Sequence, residues 1–254
     1  MSALTHLVRL ASATLLVLAW HFAAEYIGEP FLLPSPRDVV ADMSVLATNP
    51  IFFSELAATF VRVLAAFSIA VTLSFAFGVP AGHSPLARAA ISPLLALAKS
   101  MPVVSFILVA LLWFGSSLVP VFVSVLMILP VMTEAVSRGV RQTDPSLLYM
   151  ARVYRFGKRD ELLHIRIPSA LPFFFAGAGT SLSLAWKIVV AAEIIGFPRL
   201  GVGSSMQTAK THLETARVLS LTAFVVLMSA LTEALFSLLS RAAARHSPVR
   251  EDDT

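Results

Sequence analysis

The chain has 254 residues, of which 57% are hydrophobic and only 13% charged, and its formal net charge is +4. A soluble domain has about 25% charged residues, so this composition indicates a protein whose main solvent is membrane lipid. Basic residues held on the cytoplasmic side of a membrane explain the positive charge better than nucleic-acid binding, because no basic stripe follows a soluble face. The absence of cysteine excludes disulfides and thiolate metal sites.

Six segments are apolar enough to cross the membrane as helices, which takes about 20 residues each. They are Leu7 to Ala24, Glu55 to Val79, Ile91 to Trp113, Val119 to Val136, Leu171 to Ile195 and Arg217 to Leu239. The sequence therefore predicts an all-α, polytopic membrane protein with about six transmembrane helices. Pro102 lies inside the third segment, where we expect it to kink or break the helix.

The polar stretch after the first segment predicts a short helix outside the membrane core. Pro34 and Pro36 disfavour helix in front of it, and Ser35 is placed to cap an amphipathic helix from Arg37 to about Leu46. We expect that helix to lie on the external membrane surface.

The domain boundaries follow from these segments. We expect an N-terminal transmembrane helix over residues 1–29, an external surface segment over 30–54 and a five-helix core over 55–240. The core contains a polar loop at 138–168, and a cytoplasmic tail covers residues 241–254.

The positive-inside rule predicts the orientation, because most arginines lie in loops on one side of the membrane. The arginines on that side are Arg88, those between Arg138 and Arg166, Arg241, Arg245 and Arg250. The opposite loops carry few basic residues, and these are mixed with acidic ones. We therefore expect both termini and the 138–168 loop to be cytoplasmic.

The sequence contains no signature of chemistry within this chain. The phosphate-binding pattern GxxxxGK[ST] is absent, so we expect no ATP hydrolysis by the chain itself. The six histidines are dispersed without an i, i+4 pair, so we expect no metal site. We also expect no enzymatic activity and no cofactor.

The 138–168 loop contains a short helical stretch and continues into the fifth segment as MARVYRFGKRDELLHIRIPSALP. Further motifs are LPSPRDVV, the FG after the third segment, AWKIVVAAEIIG and AKTHLETARV. Together, over about residues 30 to 240, they resemble the permease subunits of bacterial ABC importers. The branch that they resemble serves nitrate, sulfonate, taurine and thiamine-precursor uptake.

The resemblance implies a type I ABC importer permease fold in the bacterial inner membrane, with two copies forming a homodimer. It also implies an ATP-binding cassette ATPase dimer, which binds the ATP, and an extracytoplasmic solute-binding protein. The implied ATPase contact uses the loop residues Tyr149, Ala151, Arg152, Tyr154, Gly157, Ile165 and Pro168. The chain departs from the family pattern in two ways. Its Glu-Ala-Ala signature is replaced by Ala151, Arg152 and Val153, and the interval from Gly157 to Pro168 is about two residues short.

The loop also has a physical interpretation as a contact element. We expect an amphipathic helix with an apolar side that lies in a groove of a soluble partner. The residues of that side are Leu147, Leu148, Ala151 and Tyr154. We expect Gly157 to allow a turn where a Cβ would clash, and Gly157→Asp or Ala151→Asp to abolish transport while the protein stays in the membrane. The alternative is a solvated basic loop that only fixes topology.

Charged residues within membrane spans are costly and usually face a cavity or a partner. They are Arg62, Lys99, Glu134, Lys187, Glu193 and Glu233, of which Lys187, Glu193, Lys99 and Glu134 are our candidates for the pathway. Lys187 and Glu193 lie about 240° apart around a helix, so they do not pair with each other. Each needs a partner from another helix or from the aqueous path. Glu134 and Arg138 have i, i+4 spacing and predict an ordinary ion pair, whereas Glu55 and Arg62 share a face two turns apart.

Two roles remain open for Lys187. It could contact an anionic solute, or it could form an interhelical ion pair with Glu134 or Glu233. The function that the resemblance implies is the membrane subunit of an ATP-driven importer for a small solute. The alternative is an ion-coupled secondary transporter or channel that uses Lys187 and Glu193 and needs no ATPase.

Overall fold

The computed structural model describes the backbone of residues 2–245 and the side chains of residues 5–241. Within these residues the chain forms eleven α-helices and no strand. The helices are α1 (Ser2–Ile27), α2 (Pro36–Leu46), α3 (Pro50–His83), α4 (Pro85–Ser100), α5 (Val103–Trp113), α6 (Val119–Arg141), α7 (Pro145–Val153), α8 (Lys158–Glu161), α9 (Ile167–Gly196), α10 (Val202–Thr211) and α11 (Thr215–Arg245). The expected tail lies outside the described residues from residue 246 onward.

The all-helical membrane fold is confirmed. Five helices are long and apolar enough to span a membrane, namely α1, α3, α6, the continuous helix formed by α8 and α9, and α11. A sixth span results if α4 and α5 are counted together, although they meet at an angle of 103°. Pro102 lies at this break and precedes the first residue of α5, as its lack of an N–H predicts.

Helices α3, α6 and α9 form the centre of the molecule. Small residues allow the close approach of α3 and α6, because a Cβ added at Gly82 would lie 2.5 Å from the Val140 Cβ. The apolar core of the molecule is fully buried at Ile128, Met132 and Trp186. The Trp186 Nε1–H donates a hydrogen bond of 3.0 Å to the hydroxyl of Thr232, which ties α11 to α9.

The predicted cap of α2 is confirmed. The Ser35 hydroxyl accepts a hydrogen bond from the Asp38 N–H, and the Asp38 carboxylate accepts one from the Ser35 N–H at 3.0 Å. Hydrogen bonds from Ser35 also hold the pKa of the Asp38 carboxyl below its ordinary value. Helix α2 packs against α11, where Arg217 pairs with Asp42 at 2.8 Å.

The helix of the fifth span begins earlier than the predicted start at Leu171. The chain is helical from Lys158 to Gly196, and this helix of 39 residues includes both Pro168 and Pro172. A π turn at Leu162–Arg166 ends two residues before Pro168, and the Ile167 N–H donates a hydrogen bond to the Leu162 carbonyl five residues back. The wider turn displaces the carbonyls that a proline ring would contact in a regular α-helix, so the helix continues.

The segment between the fifth and sixth predicted spans contains α10. Val202, Met206 and Ala209 recur at helical spacing and are buried on one face. That face packs against α9, α11 and α3. The polar residues between them conceal this periodicity in the sequence.

Candidate functional site

Helix α7 begins at a well-formed cap in the polar segment between α6 and α8. The Asp144 carboxylate accepts a hydrogen bond of 2.8 Å from the Ser146 N–H, and Pro145 occupies the first helical position. The Ser146 hydroxyl also donates to this carboxylate. These two hydrogen bonds hold the pKa of the Asp144 carboxyl below its ordinary value, and the bond from the hydroxyl has the larger effect. The cap is therefore ionised at neutral pH.

The two sides of α7 differ from the sequence prediction. Leu147 and Leu148 are half-buried and Ala151 is buried, so this side faces the chain itself. Tyr154 does not share that side, because its side chain is 72% exposed. The exposed residues that we call the α7 surface are Tyr149, Met150, Val153, Tyr154 and Phe156. An exposed apolar patch of this kind is characteristic of an interaction site.

Gly157 does not have the role expected of it within this chain. Its φ of −67° and ψ of 154° are open to any residue, and an added Cβ would meet only the Asp160 carboxylate at 3.2 Å. The left-handed position of this turn is Arg155, with a φ of 55°. Arg152 is exposed, whereas Ile165 is buried and Pro168 half-buried within the helix that follows.

A cavity of about 390 Å³ opens between α4, α6 and α9 on the α7 side of the molecule. It is lined by Lys99, Val131, Glu134, Ala135, Arg138, Phe173, Ala176 and Gly177. Glu134 pairs with Arg138 at 2.9 Å, which confirms the predicted i, i+4 pair, and with Arg141 at 3.5 Å. The structure thus brings two of the candidate residues, Lys99 and Glu134, to one cavity.

Lys187 lies further along the same face of α9. It is 11 residues after Ala176, which corresponds to about 20° around an α-helix. Its side chain is exposed, and no carboxylate of the described residues lies within ion-pair distance of it. Of the two roles left open for Lys187, the interhelical ion pair is not formed among the described residues: Glu134 pairs with Arg138, and Glu233 accepts a hydrogen bond from Ser183 at 2.7 Å.

Glu193, near the end of α9, is enclosed by donors. Its carboxylate is 0% exposed and accepts a hydrogen bond of 2.6 Å from Arg62 Nη1. It also accepts one from the Thr59 hydroxyl at 2.9 Å and one from the Gly203 N–H at 3.0 Å. We call Thr59, Arg62, Glu193 and Gly203 the Glu193 cluster. Glu193 therefore contributes no surface to the cavity, and its partner comes from another helix.

The sequence interpretation missed the pairing of Arg62 with Glu193. The two residues lie 131 positions apart, and Arg62 was compared only with Glu55 on its own helix. A signal was nevertheless present in the two glycines of the segment GVG. A Cβ at Gly201 would lie 2.7 Å from the Glu193 Cδ, and one at Gly203 would lie 2.5 Å from the Glu193 Cβ. Both positions require glycine because the carboxylate passes directly beside the backbone.

Residues 70–245 of the chain match the family described as the binding-protein-dependent transport system inner membrane component. The chain is 27% identical over 230 residues to the taurine transport system permease protein of Escherichia coli strain K12, which covers 87% of this chain and 82% of the relative. It is 30% identical over 189 residues to the formylaminopyrimidine transport permease protein of Halalkalibacterium halodurans, which covers 72% of this chain and 73% of the relative.

The fold is similar to that of a crystal structure described as an amino acid ABC transporter with histidines. The TM-score is 0.66 at 17% sequence identity, and the match covers 78% of this chain and 97% of the other. The fold, the family match over most of the chain and the relatives agree with one another. This chain belongs to the family of binding-protein-dependent transport system inner membrane components, and it is a permease subunit of an ABC importer.

Proposed function

We propose that this permease works as a homodimer, on which two ATP-binding subunits dock at the α7 surfaces and to which an extracytoplasmic binding protein delivers the solute. The observation that carries the proposal is the α7 surface. Tyr149 lies on this helix outside the membrane spans and Tyr154 directly follows it, and their side chains are 70% and 72% exposed. Two exposed aromatic side chains at a short helix suit docking into a groove of a soluble partner. ATP is bound by that partner, and this chain catalyses no reaction.

The same proposal fixes the orientation. Arg138 and Arg141 end α6, and Arg152, Arg155 and Arg159 follow in the segment that carries α7. The positive-inside rule assigns this basic end to the cytoplasm, where ATP is available. With six spans both termini lie on this same side of the membrane, and their inferred position is therefore cytoplasmic.

The first test concerns the α7 surface. We expect Tyr154→Asp to remain in the membrane but to lose at least about 90% of ATP-dependent uptake, since a charge replaces an apolar contact at the partner's groove. Uptake is measured in proteoliposomes that contain the permease, the ATPase and the binding protein. Tyr154→Phe is the matched control and is expected to retain uptake, because it keeps the apolar ring.

Unchanged uptake by Tyr154→Asp at equal membrane level would remove the docking role of α7. Uptake that persists without the ATPase subunit would instead favour the ion-coupled alternative. Ala151→Asp does not serve as a test, because Ala151 is 1% exposed and the new carboxylate would disrupt the packing of the chain itself.

For the solute, we propose a small organic anion such as a sulfonate. The cavity contains two cationic groups, Lys99 and Arg138, against the single carboxylate of Glu134. Lys187, on the same face of α9, adds a third cation without an ion pair among the described residues. A positive pathway favours passage of an anion by lowering its desolvation cost. The taurine permease among the relatives is consistent with this class.

The second test is Lys187→Met. We expect sulfonate uptake to fall by roughly tenfold, the effect of one lost charge interaction of about 1.4 kcal/mol, whereas the amount of protein in the membrane stays unchanged. Uptake equal to that of the unmodified protein would remove Lys187 from the pathway. Loss of the protein from the membrane would indicate a structural role for Lys187 instead.

A further inference from the structure

The Glu193 cluster lies outside both the α7 surface and the cavity, so neither docking nor the solute explains it. A charged group within a membrane span costs several kcal/mol, and a buried ion pair often adds no net stability over apolar residues of the same size. What a hydrogen-bonded ion pair supplies is a fixed position and direction, because its partners tolerate neither sliding nor rotation. The cluster therefore points to a requirement for exact placement of the elements that it joins.

Three elements meet at this carboxylate. Helix α3 supplies Thr59 and Arg62, α9 supplies Glu193, and α10 supplies the N–H groups of Val202 and Gly203. The Val202 N–H donates to the Thr59 hydroxyl at 2.9 Å, and that hydroxyl donates onward to Glu193. Arg62 Nη1 also donates to the Leu200 carbonyl at 2.7 Å, which fixes the turn before α10. Glu193 thus provides α10 with the acidic N-terminal partner that a helix N-terminus favours.

The position of Glu193 relative to α7 adds the second observation. Glu193 lies three residues before the end of the continuous helix that begins at Lys158. This helix is 39 residues long, or about 58 Å at 1.5 Å per residue. Its first turns follow the α7 surface directly, and its last turn carries the cluster. A displacement at the α7 end therefore reaches α10 through one uninterrupted helix.

We propose that Arg62 and Glu193 are positioning residues for transport. Their ion pair makes the end of α9, the whole of α10 and the facing turn of α3 a single rigid unit. This inference rests on the docking of the ATPase at the α7 surface proposed above: the movement of α9 that the ATPase drives is carried to the opposite mouth of the pathway, where the binding protein delivers solute. Without the pair, α9 moves and α10 does not follow it.

The test uses the complete importer in proteoliposomes and the double variant Arg62→Met/Glu193→Gln. This variant removes both charges together, so no unpaired charge stays buried and the membrane level is expected to be normal. We expect basal ATP hydrolysis within about twofold of the unmodified importer. Stimulation by the binding protein and solute uptake are both expected to fall by at least about tenfold, the effect of losing one charged hydrogen bond.

Hydrogen exchange supplies a readout that does not depend on activity. In the double variant we expect the amides of Val202 and Gly203 to exchange about tenfold faster, since their acceptors are no longer fixed. Glu55→Gln is the matched control, because Glu55 lies on the same face of α3 and belongs to no ion pair among the described residues. That control is expected to keep both the stimulation and the exchange rates.

Full stimulation and uptake by the double variant would overturn the proposal, as would a parallel fall of basal and stimulated hydrolysis in proportion to folded protein. Should the double variant fail to accumulate, Thr59→Val decides the question. It removes the shared hydroxyl without leaving a charge unpaired, since Arg62 still pairs with Glu193. Faster exchange at Val202 with reduced stimulation supports the proposal, and faster exchange with unchanged stimulation overturns it.

Discussion

Two regions of this permease carry charged residues within the membrane spans, and they offset the desolvation free energy of those charges in opposite ways. The Glu193 cluster encloses its carboxylate completely and provides a donor for each oxygen. The cavity beside α6 leaves Glu134 and Arg138 partly exposed, and Lys187 further along α9 has no ion pair among the described residues. The first arrangement excludes water and fixes geometry, whereas the second depends on water or solute to solvate its charges. A charge in a membrane helix thus indicates function only after its partners are known.

The largest loss of stability is expected when the enclosed ion pair of Arg62 and Glu193 is broken. Glu193→Ala leaves the Arg62 guanidinium, which is 13% exposed, without its counterion. We expect a loss of about 3–5 kcal/mol in stability, which would strongly reduce the membrane level and the unfolding temperature in detergent. Glu134→Ala is the matched change at the open region, where an exposed pair contributes about 0–1 kcal/mol. Equal destabilisation by the two variants would contradict the distinction between the regions.

The next effect concerns the backbone beside Glu193. Gly203→Ala would place a Cβ 2.5 Å from both the Glu193 Cβ and the Val190 carbonyl. We expect a loss of about 1–3 kcal/mol from overpacking, measured as a lower unfolding temperature. Gly179→Ala, in the middle of α9, meets no atom within 4 Å and is expected to be neutral or slightly stabilising. A neutral Gly203→Ala would mean that the cluster tolerates displacement.

The smallest effect belongs to a charge that lies wholly in water. The pKa of Asp144 is lowered from 3.8 in the folded chain. The ionised cap therefore stabilises α7 at every pH above that unfolded pKa. That contribution is lost as the pH falls through the lower, folded value. We therefore expect α7 to keep its amide protection at pH 5 to 8 in hydrogen exchange. Asp144→Asn should retain this protection and Asp144→Ala should reduce it. A decline already between pH 8 and 5 would contradict the ionised cap.

The features that the sequence predicted are those with a local cause. Six apolar segments, the break at Pro102, the Ser35 cap and the Glu134–Arg138 pair each depend on residues within one or two turns of each other. Side-chain spacing and backbone chemistry are sufficient to predict them. The family resemblance likewise depended on short contiguous motifs.

The features that it missed depend on contacts between distant segments. Arg62 and Glu193 meet only because α3 packs against α9, and no spacing rule connects positions 131 apart. The polar sequence of α10 conceals a buried face that exists only against its neighbours. The side of α7 that Tyr154 occupies was misjudged for a related reason. Tyr154 follows the last helical residue, Val153, so the helical repeat no longer applies to it.

The π turn at Leu162–Arg166 determines how α9 is rotated relative to the segment that precedes it. Arg166 donates to the Glu161 carboxylate at 2.7 and 2.8 Å across five residues, the repeat that a π turn brings onto one face. In an α-helix the same two residues would point about 140° apart. The ion pair therefore fits the wider turn, and that turn sets the rotational phase between the α7 surface and the face of α9 that carries Lys187. Removing one residue from this turn would rotate one surface relative to the other by about 100°.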